Sequence, residues 1–144
     1  MDVSRVGVDR VFFGRLDSGA DVIRELTGFV SREGVKSGLI GVIGALSKIR
    51  LGYYNLDKKD YELVEEEGLF ELMGIGNISY REGSPYIHLH VSVGEEDKTY
   101  TGHMLEGNIV GPTLEFIIIE FDRWVERERD VDTGLYLLRF ALMK

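Results

Sequence analysis

The chain of 144 residues has no cysteine, two prolines, three histidines and fewer basic than acidic side chains, and its apolar runs are short. Each scarcity excludes something. Without cysteine there is no disulfide framework and no thiolate metal site, so histidine and carboxylate are the only strong metal ligands on offer. No stretch approaches the roughly 20 apolar residues that cross a bilayer. The N-terminus "MDVSRVGVDRVFFGRL" lacks the charged start and unbroken apolar region of a signal peptide. The expectation is a cytoplasmic protein with no membrane association. Lys and Arg number 17 against 25 Asp and Glu, a formal charge of −8 with a pI near 4.9. Such a chain repels a phosphate backbone, which makes direct DNA binding a poor expectation. Lys and Arg are scattered, and in "RWVERERD" acids alternate with bases and offset them.

What is present suits a soluble globular fold: 44% hydrophobic and 29% charged residues, in a length that fits a single domain, 1–144, with its own core. "RVFFGRL" reads as a short strand. "DSGADVIRELTGFVSREG" reads as the helix after it, over about residues 19–33, with Asp17 or Ser18 as its cap and Gly34 as its stop. Val22, Ile23, Leu26, Phe29 and Val30 recur there at helical spacing and form one apolar stripe. Beyond Gly34, runs of β-branched and aromatic residues broken by Gly, Asn and Asp predict strands. "KSGLIGVIGALSKIRLGYYN" supplies one or two, "DYELVEEE" another and "LFELMGIGNISY" another. "PTLEFIIIEFD", apolar enough to be buried on both faces, and "GLYLLRFALM" close the fold. The class is α+β, mostly strand. Glycines inside "GLIGVIGA" and "MGIGN" are expected to mark bends in a curved sheet, with close backbone approach as the alternative.

All three histidines fall in one segment, "PYIHLHVSVGEEDKTYTGHMLEG". On a strand His88 and His90 share a face with Tyr86 and Ser92, while Ile87, Leu89, Val91 and Val93 take the other. "GEEDKT" has the composition of a hairpin loop. Any hairpin centred between Glu96 and Asp97 pairs Val93 with Tyr100 and His90 with His103. Cross-strand β-carbons lie about 5 Å apart and same-face neighbours along a strand roughly 7 Å, so the three imidazoles can converge on one ion at about 2.1 Å. An odd-length loop would turn His103 into the core instead. The same spacing also suits histidines that merely hydrogen-bond to their neighbours. Three histidines leave a fourth position open for water or a ligand. Glu106, the nearest acid, falls on the Met104 face by strict alternation, and a structural partner is expected for it unless Gly107 begins a bulge. Arg15, just before the helix, can bind an anion or pair with Asp17, the commoner arrangement. No phosphate loop and no nucleophile elbow is present.

The order "FGRLDSGADVIRELTGF", "GVKSGLIGVIGALSKIRLGYY", "GLFELMGIGNIS", "HLHVSV" and "TGHMLEGNIVGPTLEFII" resembles the PPC (plant and prokaryote conserved) domain over nearly the whole chain. "HLHVSV" and "GHMLEG" are its most specific parts. The resemblance implies a curved, largely antiparallel sheet with a flanking helix, assembled as a homotrimer. It also implies that, as in some prokaryotic members, the residues matching His88, His90 and His103 bind a metal, zinc foremost. Plant members carry an Arg-Gly-Arg-Pro minor-groove hook outside the domain. No such sequence occurs in this chain, so their DNA-binding role does not transfer.

The leading expectation is a homotrimer with an open three-histidine zinc site that binds or transforms a small ligand. Two alternatives stand beside it. One is a DNA-associated or regulatory protein-interaction module in which the site is structural, and the other is a trimer presenting partner-binding surface with incidental histidines.

Overall fold

The structure, a computed structural model, describes residues 2–140. It contains eight strands and one helix: β1 (Val8–Asp17), α1 (Val22–Glu33), β2 (Gly38–Asn55), β3 (Asp60–Arg81), β4 (Ser84–Glu95), β5 (Lys98–Met104), β6 (Ile109–Phe121), β7 (Glu126–Arg129) and β8 (Tyr136–Arg139). The expected α+β class holds with strand predominant. The C-terminal strand expected to continue through "FALM" is seen over Tyr136–Arg139, and residues 141–144 lie outside the described part.

All strands join one sheet in the order β1-β6-β2-β5-β4-β3-β7-β8, and β2 additionally pairs with β3. That extra pairing turns the sheet into a ring. One edge of β2 lies along β3, and the other pairs with β6 as far as Lys48 and then with β5 at Leu51 and Gly52. The path β2-β3-β4-β5-β2 is therefore closed, a small barrel from which β6 and β1 extend on one side and β7 and β8 on the other. Every pairing is antiparallel except the short one between β3 and β7.

The two strands expected over 60–80 are a single strand of 22 residues. Gly68 does not break it, because Gly68 and Leu69 stand opposite the lone Ser47 as a bulge that bends the strand and increases its twist. Gly76, expected to mark a bend, sits where β3 and β4 approach closely: a Cβ there would run into the carbonyl oxygen of His88.

The helix starts at Val22, capped by Asp21 and not by Asp17 or Ser18. Asp17 still belongs to β1, and Gly19, at φ 88°, tethers the chain to β6 through its amide on the Val110 carbonyl. Asp21 Oδ1 accepts from the Arg24 amide at 3.2 Å, and Gly34 closes the helix in the left-handed conformation. Val22, Leu26 and Val30 are fully buried against the barrel, and Phe29 bridges Phe12 and Phe116 edge-on at 5.2 and 5.7 Å.

β6 is not buried on both faces. Leu114, Phe116 and Ile118 face the core while Glu115 and Ile117 point out, because only one side of this sheet is covered by the helix. The outer face is apolar nonetheless, with Phe13, Ile43, Met73, Ile75 and Ile117 at 40–76% exposure.

Candidate metal centre

The register of one hairpin builds the site. β4 alternates cleanly, with Ile87, Leu89, Val91 and Val93 buried and His88 and His90 on the other face. The turn to β5 holds two residues, Glu96 and Asp97, with Glu96 at φ 44°. An even loop keeps the faces matched, so Gly94 pairs with Thr99, Val93 with Tyr100 and His90 with His103. His103 is enclosed from the other side as well, since it stands opposite Gly52 at the barrel closure. A Cβ on Gly52 would come within 2.6 Å of the Tyr61 ring, which lies 5.4 Å from the His103 ring. Glycine at that position lets Tyr61 cover the histidine, and only 6% of His103 is exposed.

The three imidazole centroids lie 4.9, 5.0 and 5.5 Å apart, and one ring nitrogen from each falls within 4.8 Å of the others. Two nitrogens bound to a common ion at about 2.1 Å stand at most about 4.2 Å apart. In a tetrahedral set they stand about 3.4 Å apart, so the longest separations in the cluster have to close by up to about 1.4 Å. Nδ1 of His103 is buried without a hydrogen-bond partner among the described residues, the kind of orphaned atom that a ligand or ion satisfies. Burial first, then repulsion from Arg127 and the neighbouring imidazoles, lowers the His88 pKa to about 4, and burial followed by His90 and Arg127 does the same for His103. Both rings are neutral at pH 7, the form that binds metals.

A residue the sequence reading passed over stands behind His88. Arg127 is 9% exposed and donates from Nε to Ser79 Oγ at 2.8 Å, from Nη1 to the Tyr136 carbonyl at 2.7 Å, and from Nη2 to Asn77 Oδ1 at 2.9 Å and His88 Nδ1 at 3.1 Å. A guanidinium only donates, so Nδ1 of His88 accepts and the proton of the neutral ring sits on Nε2. That Nε2, 3.1 Å from His90 Nε2, donates to it. For an ion to rest on His88 Nε2, this proton must leave, so the contact with Arg127 is the part of the site that has to rearrange. Metal-bound histidines ordinarily donate their second nitrogen to a carbonyl or carboxylate. A cation in that place makes the ring a weaker base.

The histidines border a cleft of about 670 Å³, walled by Tyr54, Tyr61, Tyr86 and Tyr136 and by Lys59, Asp60, Arg81 and Arg127. Only Tyr86 was signalled by the sequence, as a same-face neighbour of His88. Arg127 lay hidden in "RWVERERD", where strand alternation separates it from Glu126 and Glu128, the one buried residue of β7. Glu106 takes no part in the cluster: it lies beyond β5, its carboxylate 3.8 Å from Arg24 and its carbonyl accepting from Arg50. Arg15 pairs with Asp17 at 2.7 Å. Both take the structural partners expected for them.

The sequence profile of the Plants and Prokaryotes Conserved (PCC) domain matches residues 3–122. Among solved structures, a metal-containing protein from Archaeoglobus fulgidus is 31% identical, with 97% of this chain and 100% of that one covered and a TM-score of 0.91. A plant- and prokaryote-conserved (PPC) protein from Pyrococcus horikoshii is 29% identical, with 99% and 100% covered and a TM-score of 0.88. A protein from Bacteroides thetaiotaomicron, proposed to bind DNA, is 26% identical, with 94% and 97% covered and a TM-score of 0.86. No curated protein shows significant similarity to the chain. The extent of the profile match, reaching from β1 through the histidine hairpin to the end of β6, shows that the chain belongs to the Plants and Prokaryotes Conserved (PCC) domain family.

Proposed function

We propose that this PCC-domain protein is a cytoplasmic homotrimer that holds zinc on His88, His90 and His103 and takes a small ligand in the adjoining cleft. One observation carries the reading: three imidazoles from two paired strands present ring nitrogens within 4.8 Å of one another. The Archaeoglobus relative, described as metal-containing, supports it. Zinc suits a site of neutral nitrogen donors in a chain without cysteine, and three protein ligands leave a position open. When bound, such an ion polarises an oxygen ligand at that position. The chain's own residues supply the rest: Tyr61 shields His103, Arg127 walls the cleft behind His88, and the cleft admits a molecule to the histidines. Among the described residues no carboxylate joins the histidine cluster, so the reading is one of binding, with no base assigned.

The trimer draws support from the outer face. Phe13, Ile43, Met73, Ile75 and Ile117 border an apolar cavity of about 520 Å³, and an exposed apolar patch of this kind marks an interaction surface. His90 and Thr101 border this cavity and the histidine cleft alike, so a partner covering that face reaches the rim of the site. Direct DNA contact is left out of the proposal because the chain carries a formal charge of −8.

The test is metal content by plasma mass spectrometry on untagged protein purified without chelator, beside the His90→Ala variant, with mass in solution from light scattering. Near-stoichiometric zinc in the wild type, lost in the variant, with a mass of three chains, is the expected result. Zinc retained in full by His90→Ala, or none taken up by either protein, would sink the metal reading, and a monomer at micromolar concentration would sink the trimer.

A further inference from the structure

Arg127 presents an unbalanced charge. A buried guanidinium is normally paired, because desolvating a cation costs several kcal/mol unless a counter-charge compensates. Here all four of its partners are neutral: a hydroxyl, a carbonyl, an amide oxygen and an imidazole nitrogen. Among the described residues it forms no ion pair with a carboxylate. Arg81 and Lys59 add two cations to the same cleft against one carboxylate, Asp60. A protein of formal charge −8 has thus concentrated positive charge around its histidines. The cleft is also aromatic. The Arg127 and Arg81 guanidinium carbons both lie 5.3 Å from the Tyr86 ring centroid, and that of Arg81 lies 4.6 Å from that of Tyr136.

We propose that the cleft binds a small organic anion, its carboxylate or phosphate on the cleft side of the histidine cluster and Arg127 and its planar body against the tyrosines. A bound acid supplies the counter-charge that the protein itself withholds from Arg127. Low-dielectric surroundings strengthen that attraction, and ring faces accept a planar group without requiring a specific hydrogen-bond pattern. The proposal deepens the metal reading and rests on it only for the second charge facing the acid. Arg127 and the tyrosines belong to the polypeptide and attract the anion with or without the ion.

Calorimetric titration with benzoate and with benzamidine, which carry the same ring and opposite charges, tests this on wild-type protein loaded with zinc and on protein treated with chelator. Benzoate is expected to bind both forms, the loaded form more tightly, and benzamidine neither. Arg127→Gln, checked for folding by circular dichroism and for retained zinc, weakens benzoate by about tenfold or more, while Arg127→Lys keeps part of the affinity. The wild-type comparison needs no variant, so misfolding of Arg127→Gln does not remove the test. Benzamidine binding as well as benzoate, or zinc-loaded protein ignoring benzoate at its highest soluble concentration, overturns the anion proposal and leaves the metal site standing. Benzoate binding by protein that takes up no zinc upholds the anion site and defeats the metal reading.

Discussion

Acid should destabilise the metal-free protein through His103, and by an amount that can be worked out. In the unfolded chain this imidazole titrates near 6.5, whereas in the fold burial beneath Tyr61, with His90 and Arg127 nearby, lowers it to about 4. Its folded pKa is depressed, so between those values the unfolded state binds the proton and the folded state refuses it. Stability is intact above about 6.5 and is lost progressively as the pH falls towards 4. At pH 5 the unfolded group lies about 1.5 units below its midpoint and the folded group about one unit above its own, which amounts to a loss of about 2 kcal/mol relative to pH 7. For a chain of this length that lowers Tm by roughly 6 °C. The assay is thermal unfolding of chelator-treated wild type and His103→Gln at pH 7 and pH 5, at equal protein concentration. Carboxylates titrate in both proteins and cancel in the comparison. The wild type should lose about 2 kcal/mol more than the variant over this interval, and equal losses would show that His103 is not held low. Adding zinc at pH 5 should still raise the wild-type Tm, since a ligand with a pKa of about 4 is unprotonated there.

Ile75→Arg puts a charge into the exposed apolar face, where Ile75 is 63% exposed in the single chain; light scattering should show a folded monomer, and an intact trimer would move the interface elsewhere. Gly76→Ala drives a methyl group into the His88 carbonyl oxygen, and zinc bound per folded chain should fall because the β4 backbone carrying His88 has to shift. Unchanged zinc content at wild-type stability would contradict that. Asp21→Ala removes both the cap on the Arg24 amide and the 2.7 Å bond from the Gly107 amide to Oδ2; urea unfolding should show a loss of about 2 kcal/mol.

The features legible in the sequence are those set by near neighbours along the chain. Strand alternation assigned His88 and His90 to one face and Ile87 and Leu89 to the other, and any even-length loop centred between Glu96 and Asp97 puts His103 opposite His90, although only the structure excludes an odd-length loop. The apolar stripe of α1 and its glycine stop are local in the same sense. Its N-terminal boundary was not, because the tether of Gly19 and Ala20 to Val110 of β6 delays the helix until Asp21 can cap it. The exposed side of β6 could not be foreseen either, since an apolar run does not say which of its faces will be covered. Composition and period thus determined the α+β class, the histidine face and the donor set available to a metal. Tertiary structure alone closed β2 onto β5, buried His103 beneath Tyr61, and carried Arg127 across 39 residues of sequence to His88. A hairpin's register propagates from its turn, but a barrel's closure and the approach of β7 depend on the summed twist of long strands, a quantity no single stretch of sequence contains.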